Sequence, residues 1–204
     1  MNIKNKFIAV EGVIGVGKTT LANLLAKKLH AKLLLEQFEE NPFLKEFYDD
    51  IKGKAFQTQL FFLLSRYRQV QQLFQTEIFH TNIVSDYMFM KDSIFANMTI
   101  GNHELALYNT IFSILKSNVV SPDLTIYLYA DIDVVMDRIK KRNRDFEHNI
   151  QRNYILDLMR AYEDFFNKFS SLNVLKVNTN KLDFTKTPEV FDKLYRRLKK
   201  QFLK

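Results

Sequence analysis

A glycine-rich segment near the start of the chain constrains the possible fold more than any other feature. Residues 12–19 read GVIGVGKT and satisfy the pattern G-x-x-x-x-G-K-[ST]. A short apolar run, Lys6–Val10, precedes the segment, and a helical pattern over Thr19–Leu29 follows it. A loop between a strand and a helix can wrap its backbone N–H groups around phosphate oxygens, and the helix N-terminus favours anions. The sequence therefore predicts a nucleotide-binding loop.

The polar side chains of this loop have separate expected contacts. Lys18 is expected to neutralise the β- and γ-phosphate oxygens of ATP, and the hydroxyl of Thr19 is expected to ligate Mg²⁺. The residues expected to bind the triphosphate are Gly12, Gly15, Gly17, Lys18, Thr19 and Thr20.

Short apolar runs, separated by long stretches with helical spacing, indicate the architecture. Buried parallel strands read as continuous apolar runs, and their alternation with helices predicts an α/β fold with helices on both faces of a five-stranded parallel sheet. Ligands of such sheets bind outside the carboxyl ends of the strands. The runs are Lys6–Val10, Lys32–Leu35, Asn82–Ser85, Leu124–Ala130 and Val174–Val177.

Size and composition exclude several classes of protein. A chain of 204 residues is expected to form one domain over residues 1–204, and without cysteine it cannot use a disulfide, a thiolate metal site or a catalytic thiol. No apolar run of membrane length occurs, so we expect a cytoplasmic protein with no membrane partner. The net charge of +7 suits phosphate-bearing small molecules. Nucleic-acid binding is disfavoured because aromatic residues do not interleave with the basic ones.

Carboxylates follow the second and third predicted strands. Glu36 comes directly after the second run, where it could take a proton from an acceptor hydroxyl. Asp86 ends the third, where an acidic side chain can hold Mg²⁺ directly or through water. The alternatives are an exposed acidic turn for Glu36 and a helix N-cap for Asp86.

The apolar helical stretch Phe56–Tyr67 carries an amide and a guanidinium on one face. Gln59 and Arg66 are seven residues apart, and a charged group on so apolar a face needs a partner. If this face lines a pocket, the two side chains can hydrogen-bond the edge of a purine. Otherwise, Arg66 reaches the surface along its alkyl stem.

A cluster of arginines follows the fourth run. Arg138, Arg142 and Arg144 lie within seven residues, and the first two share a helix face. Such a cluster suits a short lid that closes on the triphosphate and spreads the charge of the transferring phosphoryl group. Arg138 and Arg142 therefore join Glu36 and Lys18 as candidate catalytic residues.

The class of nucleotide-binding protein follows from what else the chain contains. A GTPase would need the motifs N-K-x-D and D-x-x-G, which are missing from plausible places, and a large ATPase would need a longer chain. A small-molecule kinase or a non-catalytic nucleotide sensor remains.

Ordered motifs along nearly the whole chain carry a family resemblance. They are GVIGVGKT at 12–19, E-x-x-x-E-N-P-F at Glu36–Phe43, Tyr48 eleven residues before Gln59, Q-x-x-x-x-x-S-R at Gln59–Arg66, SDYMFMKDSIFA at Ser85–Ala96, and R-x-x-x-R-x-R-x-x-E at Arg138–Glu147. The sequence resembles the deoxynucleoside kinases, and most of all the bacterial deoxyguanosine and deoxyadenosine kinases. The resemblance implies a P-loop kinase fold, Glu36 as the base that activates the 5′-hydroxyl, Asp86 at the acidic position linked to Mg²⁺, and a homodimer.

The resemblance also implies a set of contacts with the deoxynucleoside. Tyr48 and Glu147 would hydrogen-bond the 3′-hydroxyl of the deoxyribose. Gln59 and Arg66 would meet the edge of the base, and Phe95 would stack on it. Arg138, Arg142 and Arg144 would form the lid.

The chain departs from many relatives at Tyr87 and Lys91. Tyr87 stands where many relatives carry an arginine, whose phosphate and 5′-oxygen contacts must then come from elsewhere or be absent. Lys91, four residues before Phe95, stands where animal relatives carry an acidic residue. A lysine donor would suit the O6 acceptor of guanine if it points inward, although Asp92 would reverse that logic if the register slipped by one residue.

The resulting hypothesis is phosphorylation of a purine deoxynucleoside by ATP, with deoxyguanosine favoured and deoxyadenosine next. The alternatives are a nucleoside monophosphate kinase such as a thymidylate kinase, and a sensor that binds nucleotide without turnover.

Overall fold

The strands of the sheet coincide closely with the apolar runs of the sequence. The computed structural model describes residues 3–75, 82–169, 172–182, 184 and 188–202. In this part of the chain the strands are β1 (Phe7–Gly12), β2 (Lys32–Leu34), β3 (Ile83–Ser85), β4 (Leu124–Tyr129) and β5 (Val174–Asn178). Each boundary differs from the predicted run by at most two residues. The prediction of five strands is confirmed.

All neighbouring strands are parallel, in the order β2-β3-β1-β4-β5. β1 lies in the centre, with Ala9 beside Ser85 of β3 and Thr125 of β4. Every residue of β1 is buried, because helices cover the central strands on both faces. The predicted α/β fold, with helices on both faces of a five-stranded parallel sheet, is confirmed.

Helices connect the strands and form both outer layers. They are α1 (Lys18–Leu29), α2 (Leu44–Phe47), α3 (Ile51–Gln75), α4 (Lys91–Thr99), α5 (Asn102–Lys116), α6 (Ile132–Arg142), α7 (Arg152–Lys168) and α8 (Pro188–Gln201). The predicted helical stretch Phe56–Tyr67 is the middle of α3. In the described ranges, no helix is both long and apolar enough to cross a membrane.

The strand order brings distant parts of the sequence together at one edge of the sheet. Because β3 lies between β1 and β2, the phosphate loop after β1, Asp86 after β3 and Glu36 after β2 all meet at the carboxyl ends of the strands. Short 3₁₀ turns at Phe38–Glu40 and Asp145–Glu147 lie at the same edge and bring the side chains of Phe38, Phe146 and Glu147 to it.

Candidate active site

The loop of residues 12–19 curls tightly between β1 and α1. Gly12 has φ 147°, and a Cβ there would lie 2.3 Å from the carbonyl oxygen of Leu128, so only glycine fits. Lys18 folds back over the loop and donates hydrogen bonds to the carbonyl oxygens of Gly12 (2.9 Å) and Val13 (3.0 Å). Burial, together with repulsion from Lys91, lowers the pKa of Lys18 to about 8. These contacts hold the loop in a tight turn between β1 and α1.

Asp86 links the phosphate loop to the chain after β2. Its Oδ2 accepts a hydrogen bond from the hydroxyl of Thr19 at 2.6 Å, and its Oδ1 accepts the backbone N–H of Glu36 at 2.9 Å. It does not cap a helix, because the N-cap of α4 is Met90. Two hard oxygen donors, the hydroxyl of Thr19 and the carboxylate of Asp86, thus lie side by side, as the metal-site prediction requires.

Glu36 is held by two cations from two different helices. Nη2 of Arg66, on α3, pairs with Oε1, and Nζ of Lys91, on α4, lies 2.6 Å from Oε2. The side chain of Glu36 is 13% exposed, which excludes an exposed acidic turn. Burial alone would raise the pKa of Glu36, but the charges of Arg66 and Lys91 outweigh it and hold the pKa well below its ordinary value.

Arg66 bridges two carboxylates, those of Glu36 and Asp92. Its Nη1 pairs with Asp92, which is fully buried, and its guanidinium lies 4.6 Å from the centre of the Phe62 ring. Arg66 is 3% exposed, so the alternative in which it reaches the surface is excluded. Burial raises the pKa of Asp92 to about 6, although Arg66 opposes this shift.

The side chains predicted to bind the deoxynucleoside line one cavity, which we call the acceptor cavity. This cavity is bounded by Glu36, Tyr48, Gln59, Arg66, Asp86, Lys91, Phe95 and Glu147, together with Lys18, Thr19, Arg142 and Arg144. Burial, and next the charge of Glu147, raise the pKa of Tyr48 well above its ordinary value, so its hydroxyl stays protonated and can donate. The residues are brought together, and their contacts with a nucleoside stay predictions.

Lys91 points inward, and Asp92 does not line this cavity. The register that the sequence left open is therefore the one with lysine in the cavity. Its amine, however, is paired with Glu36 at 2.6 Å and lies 5.4 Å from the centre of the Phe95 ring. A buried ammonium needs a counter-ion, and Glu36 provides it. The role of Lys91 at the base edge stays a prediction.

The three arginines of the predicted lid have different surroundings. A cleft next to the acceptor cavity is lined by Gly15, Gly17, Lys18, Thr19, Thr20, Arg138, Arg142 and Arg144. Arg138 is anchored by the carbonyl oxygens of Thr179 (2.7 Å) and Leu182 (3.2 Å), whereas Arg142 pairs with Glu147. Arg142 and Arg144 line both cavities, but Arg138 lines only the cleft over the phosphate loop.

Arg144 lies over an aromatic pair. Its guanidinium is 4.2 Å from the centre of the Phe38 ring, and the rings of Phe38 and Phe146 are 5.5 Å apart. Phe38 belongs to the turn after β2 and Phe146 to the turn after α6, so the stack joins the lid to the segment that carries Glu36.

The sequence reasoning gave no role to Glu11, which organises the site from beneath. It is fully buried and accepts hydrogen bonds from the N–H groups of Gly12 and Met88, each at 2.9 Å, and from the hydroxyl of Tyr162 at 2.8 Å. The available signal was an acidic residue directly between the apolar run Lys6–Val10 and the glycine loop. The sequence offers Asp92 only as an alternative to Lys91 and carries no signal of its pairing with Arg66.

Tyr87, the first departure from the family pattern, is not a replacement for an arginine in the cavity. It is 1% exposed, its hydroxyl donates to Oε1 of Gln69 at 2.9 Å, and it does not line the acceptor cavity. Positive charge beside Glu36 comes instead from Arg66 and Lys91.

Comparisons with known proteins agree with this geometry. A family model described as deoxynucleoside kinase matches residues 8–204. The chain is 35% identical over 198 residues to deoxyguanosine kinase of Bacillus subtilis (strain 168), covering 95% of this chain and 96% of the relative. It is 33% identical over 188 residues to deoxyadenosine/deoxycytidine kinase of the same organism, covering 88% and 85%. The structure of deoxyadenosine kinase from M. mycoides with bound dATP matches with a TM-score of 0.80 and 28% identity, covering 93% of this chain and 99% of that chain.

Proposed function

The chain belongs to the deoxynucleoside kinase family, and from this premise we propose that it transfers the γ-phosphoryl group of ATP to the 5′-hydroxyl of a purine deoxynucleoside, deoxyguanosine before deoxyadenosine. The products are the 5′-monophosphate and ADP. The whole chain, residues 1–204, acts as a single kinase domain.

The position of Glu36 carries this proposal. Its carboxylate lines the acceptor cavity, and its backbone N–H is 2.9 Å from Asp86, whose other oxygen is 2.6 Å from the Thr19 hydroxyl. A single residue, Asp86, thus lies between the proposed general base and the loop that would bind the triphosphate, and in-line transfer to a hydroxyl requires such proximity. A nucleotide sensor has no use for a base at this place.

In the proposed reaction, one residue accepts the proton of the acceptor hydroxyl, and others stabilise the negative charge of the transferred phosphoryl group. The hydroxyl proton passes to Glu36 while the 5′-oxygen attacks the γ-phosphorus and the bond to the β-phosphate oxygen breaks. Lys18 and Arg142 stabilise the charge that spreads over the phosphoryl oxygens. Arg138 lines the cleft over the phosphate loop and adds positive charge there.

Magnesium fits the oxygen donors at the end of the phosphate loop. Thr19 and Asp86 offer a hydroxyl and a carboxylate oxygen 2.6 Å apart, and such hard donors suit Mg²⁺. When bound with ATP, the ion supplies positive charge to the β- and γ-phosphate oxygens.

The purine preference rests on the base end of the cavity and on the relatives. Gln59 is buried and lines the cavity together with Phe95, so the cavity offers a base both an amide that can donate and accept and an aromatic ring. The named relatives include deoxyguanosine kinase at 35% identity and deoxyadenosine/deoxycytidine kinase at 33%. This small difference favours deoxyguanosine.

A homodimer is part of the proposal. Leu107 and Ile114 on α5 are 55% and 62% exposed, and Leu64 on α3 is 39% exposed. Helices α3 and α5 pack against each other, so their exposed apolar side chains offer a helical surface that a second copy would cover. Sedimentation of the purified chain at several concentrations tests the proposal, and a single monomeric species throughout would refute it.

The activity is tested with a panel of acceptors. ADP release is measured with ATP and each of the four natural deoxynucleosides, two ribonucleosides and thymidylate. We expect turnover of deoxyguanosine to exceed that of deoxyadenosine, with little turnover of thymidylate. Turnover of thymidylate alone would favour a nucleoside monophosphate kinase, and no turnover of any acceptor would favour a nucleotide sensor.

A further inference from the structure

Lys91 is a buried cation with one anionic contact in the described part of the chain. It is the first residue of α4 and is 5% exposed, and its Nζ lies 2.6 Å from Oε2 of Glu36. The two residues are 55 positions apart in the sequence, so their meeting is a product of the fold. An ammonium group in such a place is stable only with a counter-ion.

The two cations on Glu36 are not equivalent. Arg66 shares its charge between Glu36 and Asp92, and the Phe62 ring packs against its guanidinium. Its position is therefore fixed by three neighbours. The charge of Lys91 acts on Glu36, and its other close neighbour is the ring of Phe95, 5.4 Å from the amine. Lys91 thus controls the oxygen Oε2, which Arg66 does not reach.

The amine of Lys91 lies at the reacting end of the acceptor cavity. It contacts the proposed base itself, and its charge repels that of Lys18 in the phosphate loop. A lysine ammonium has three donors, of which one is used on Glu36. If the 5′-hydroxyl of the acceptor donates its proton to Oε2 of Glu36, its oxygen would lie within reach of a second N–H donor of Lys91.

We propose that Lys91 holds Glu36 in place and donates a hydrogen bond to the attacking 5′-oxygen. Lys91 then determines the turnover of every acceptor and not which nucleobase is preferred. This inference rests on the proposed kinase function. During transfer the 5′-hydroxyl proton passes to Glu36, the bond from the 5′-oxygen to the γ-phosphorus forms, and the bond to ADP breaks. Lys91 keeps its own protons throughout.

The experiment replaces Lys91 in the full chain and measures kcat and KM with deoxyguanosine, deoxyadenosine and deoxycytidine. Lys91→Met removes the charge at similar length, and Lys91→Arg keeps it. Lys141→Met is the matched control, because Lys141 lies on the surface with its side chain 74% exposed. Affinity for ATP and the thermal unfolding temperature are measured for each variant.

We expect Lys91→Met to lower kcat by a similar factor with every acceptor. For Lys91→Met, kcat falls about 10- to 100-fold with every acceptor that wild type uses, the size expected when a charge-assisted hydrogen bond is lost from the transition state. The ratio of kcat/KM between deoxyguanosine and deoxyadenosine stays within about threefold, and Lys91→Arg regains most of the turnover. Lys141→Met matches wild type.

Other outcomes overturn the inference in distinct ways. A loss confined to deoxyguanosine would place Lys91 at the base edge, and an unchanged kcat would remove it from the reaction. If Lys91→Met unfolds, Lys91→Arg decides, because an arginine variant that is folded but inactive contradicts a role that only needs the positive charge. If wild type itself turns over no acceptor, the proposed function fails as well.

Discussion

Replacing Glu36 by glutamine should lower both turnover and stability. Removal of a general base lowers kcat by about 10²- to 10⁴-fold. The loss of stability follows from the surroundings of the carboxylate, since the side chains of Arg66 and Lys91 are only 4% and 6% exposed. Breaking one side of a buried ion pair costs about 3–5 kcal/mol, because it leaves an uncompensated charge.

The lower end of this range applies to Glu36→Gln. Arg66 keeps its pairing with Asp92, so only Lys91 loses its counter-ion. We therefore expect a loss of about 3 kcal/mol, which in a chain of this size lowers the unfolding temperature by about 6–12 °C. The double variant Glu36→Gln/Lys91→Met should regain part of the loss, because it removes the ammonium that the single variant leaves unpaired.

The assay combines thermal unfolding with steady-state kinetics. Glu46→Gln is the control, because Glu46 forms a surface ion pair with Lys54 and its side chain is 62% exposed, so its loss should change stability by less than about 0.5 kcal/mol. An unfolding temperature for Glu36→Gln at or above that of wild type would refute the counter-ion argument. Unchanged kcat would remove Glu36 from the mechanism.

Further predictions concern pH and the phosphate loop. In the folded chain, burial raises the pKa of Asp92 from 3.8 to about 6, so between these two pH values the folded state binds more protons than the unfolded state. The unfolding free energy of wild type, relative to that of Asp92→Asn, should therefore fall as the pH rises from about 4 to about 6. The slope is at most about 1.4 kcal/mol per pH unit. Urea unfolding at fixed ionic strength measures this, and a constant difference would contradict it. Gly12→Ala should lower the unfolding temperature more than Gly17→Ala: both residues have positive φ, but a Cβ at Gly12 would meet a carbonyl oxygen at 2.3 Å and a Cβ at Gly17 meets nothing within 4 Å in the described chain. Equal losses would contradict this reasoning.

The fold was largely predictable because its strands are short apolar runs that end in polar residues. The central strand β1 is buried along its whole length, and its first four residues, Phe7–Val10, form a continuous apolar run. The phosphate loop was predictable for a different reason: its glycines and Lys18 act within one local segment. Helix boundaries were harder, since α3 extends well beyond the apolar stretch that marked it.

The ion pairs of the site could not be predicted in the same way. Glu36 meets Lys91 and Arg66 only because β3 lies between β1 and β2, and nothing in the spacing of the runs determined that order. The choice between Lys91 and Asp92 depended on where α4 begins, to within one residue. Such contacts depend on strand order and helix phase together, which a single sequence leaves open.

The carboxylate of Glu11 makes the two halves of the site one mechanical unit. It accepts hydrogen bonds from Gly12 of the phosphate loop, from Met88 on the way to α4, and from Tyr162 of α7, all in a place without solvent. A shift of the loop when a triphosphate enters must therefore carry the Met88 segment along or break a buried hydrogen bond. Lys91 lies three residues after Met88, so in the proposed mechanism a movement of the phosphate loop would be passed on towards the lysine that we propose holds Glu36.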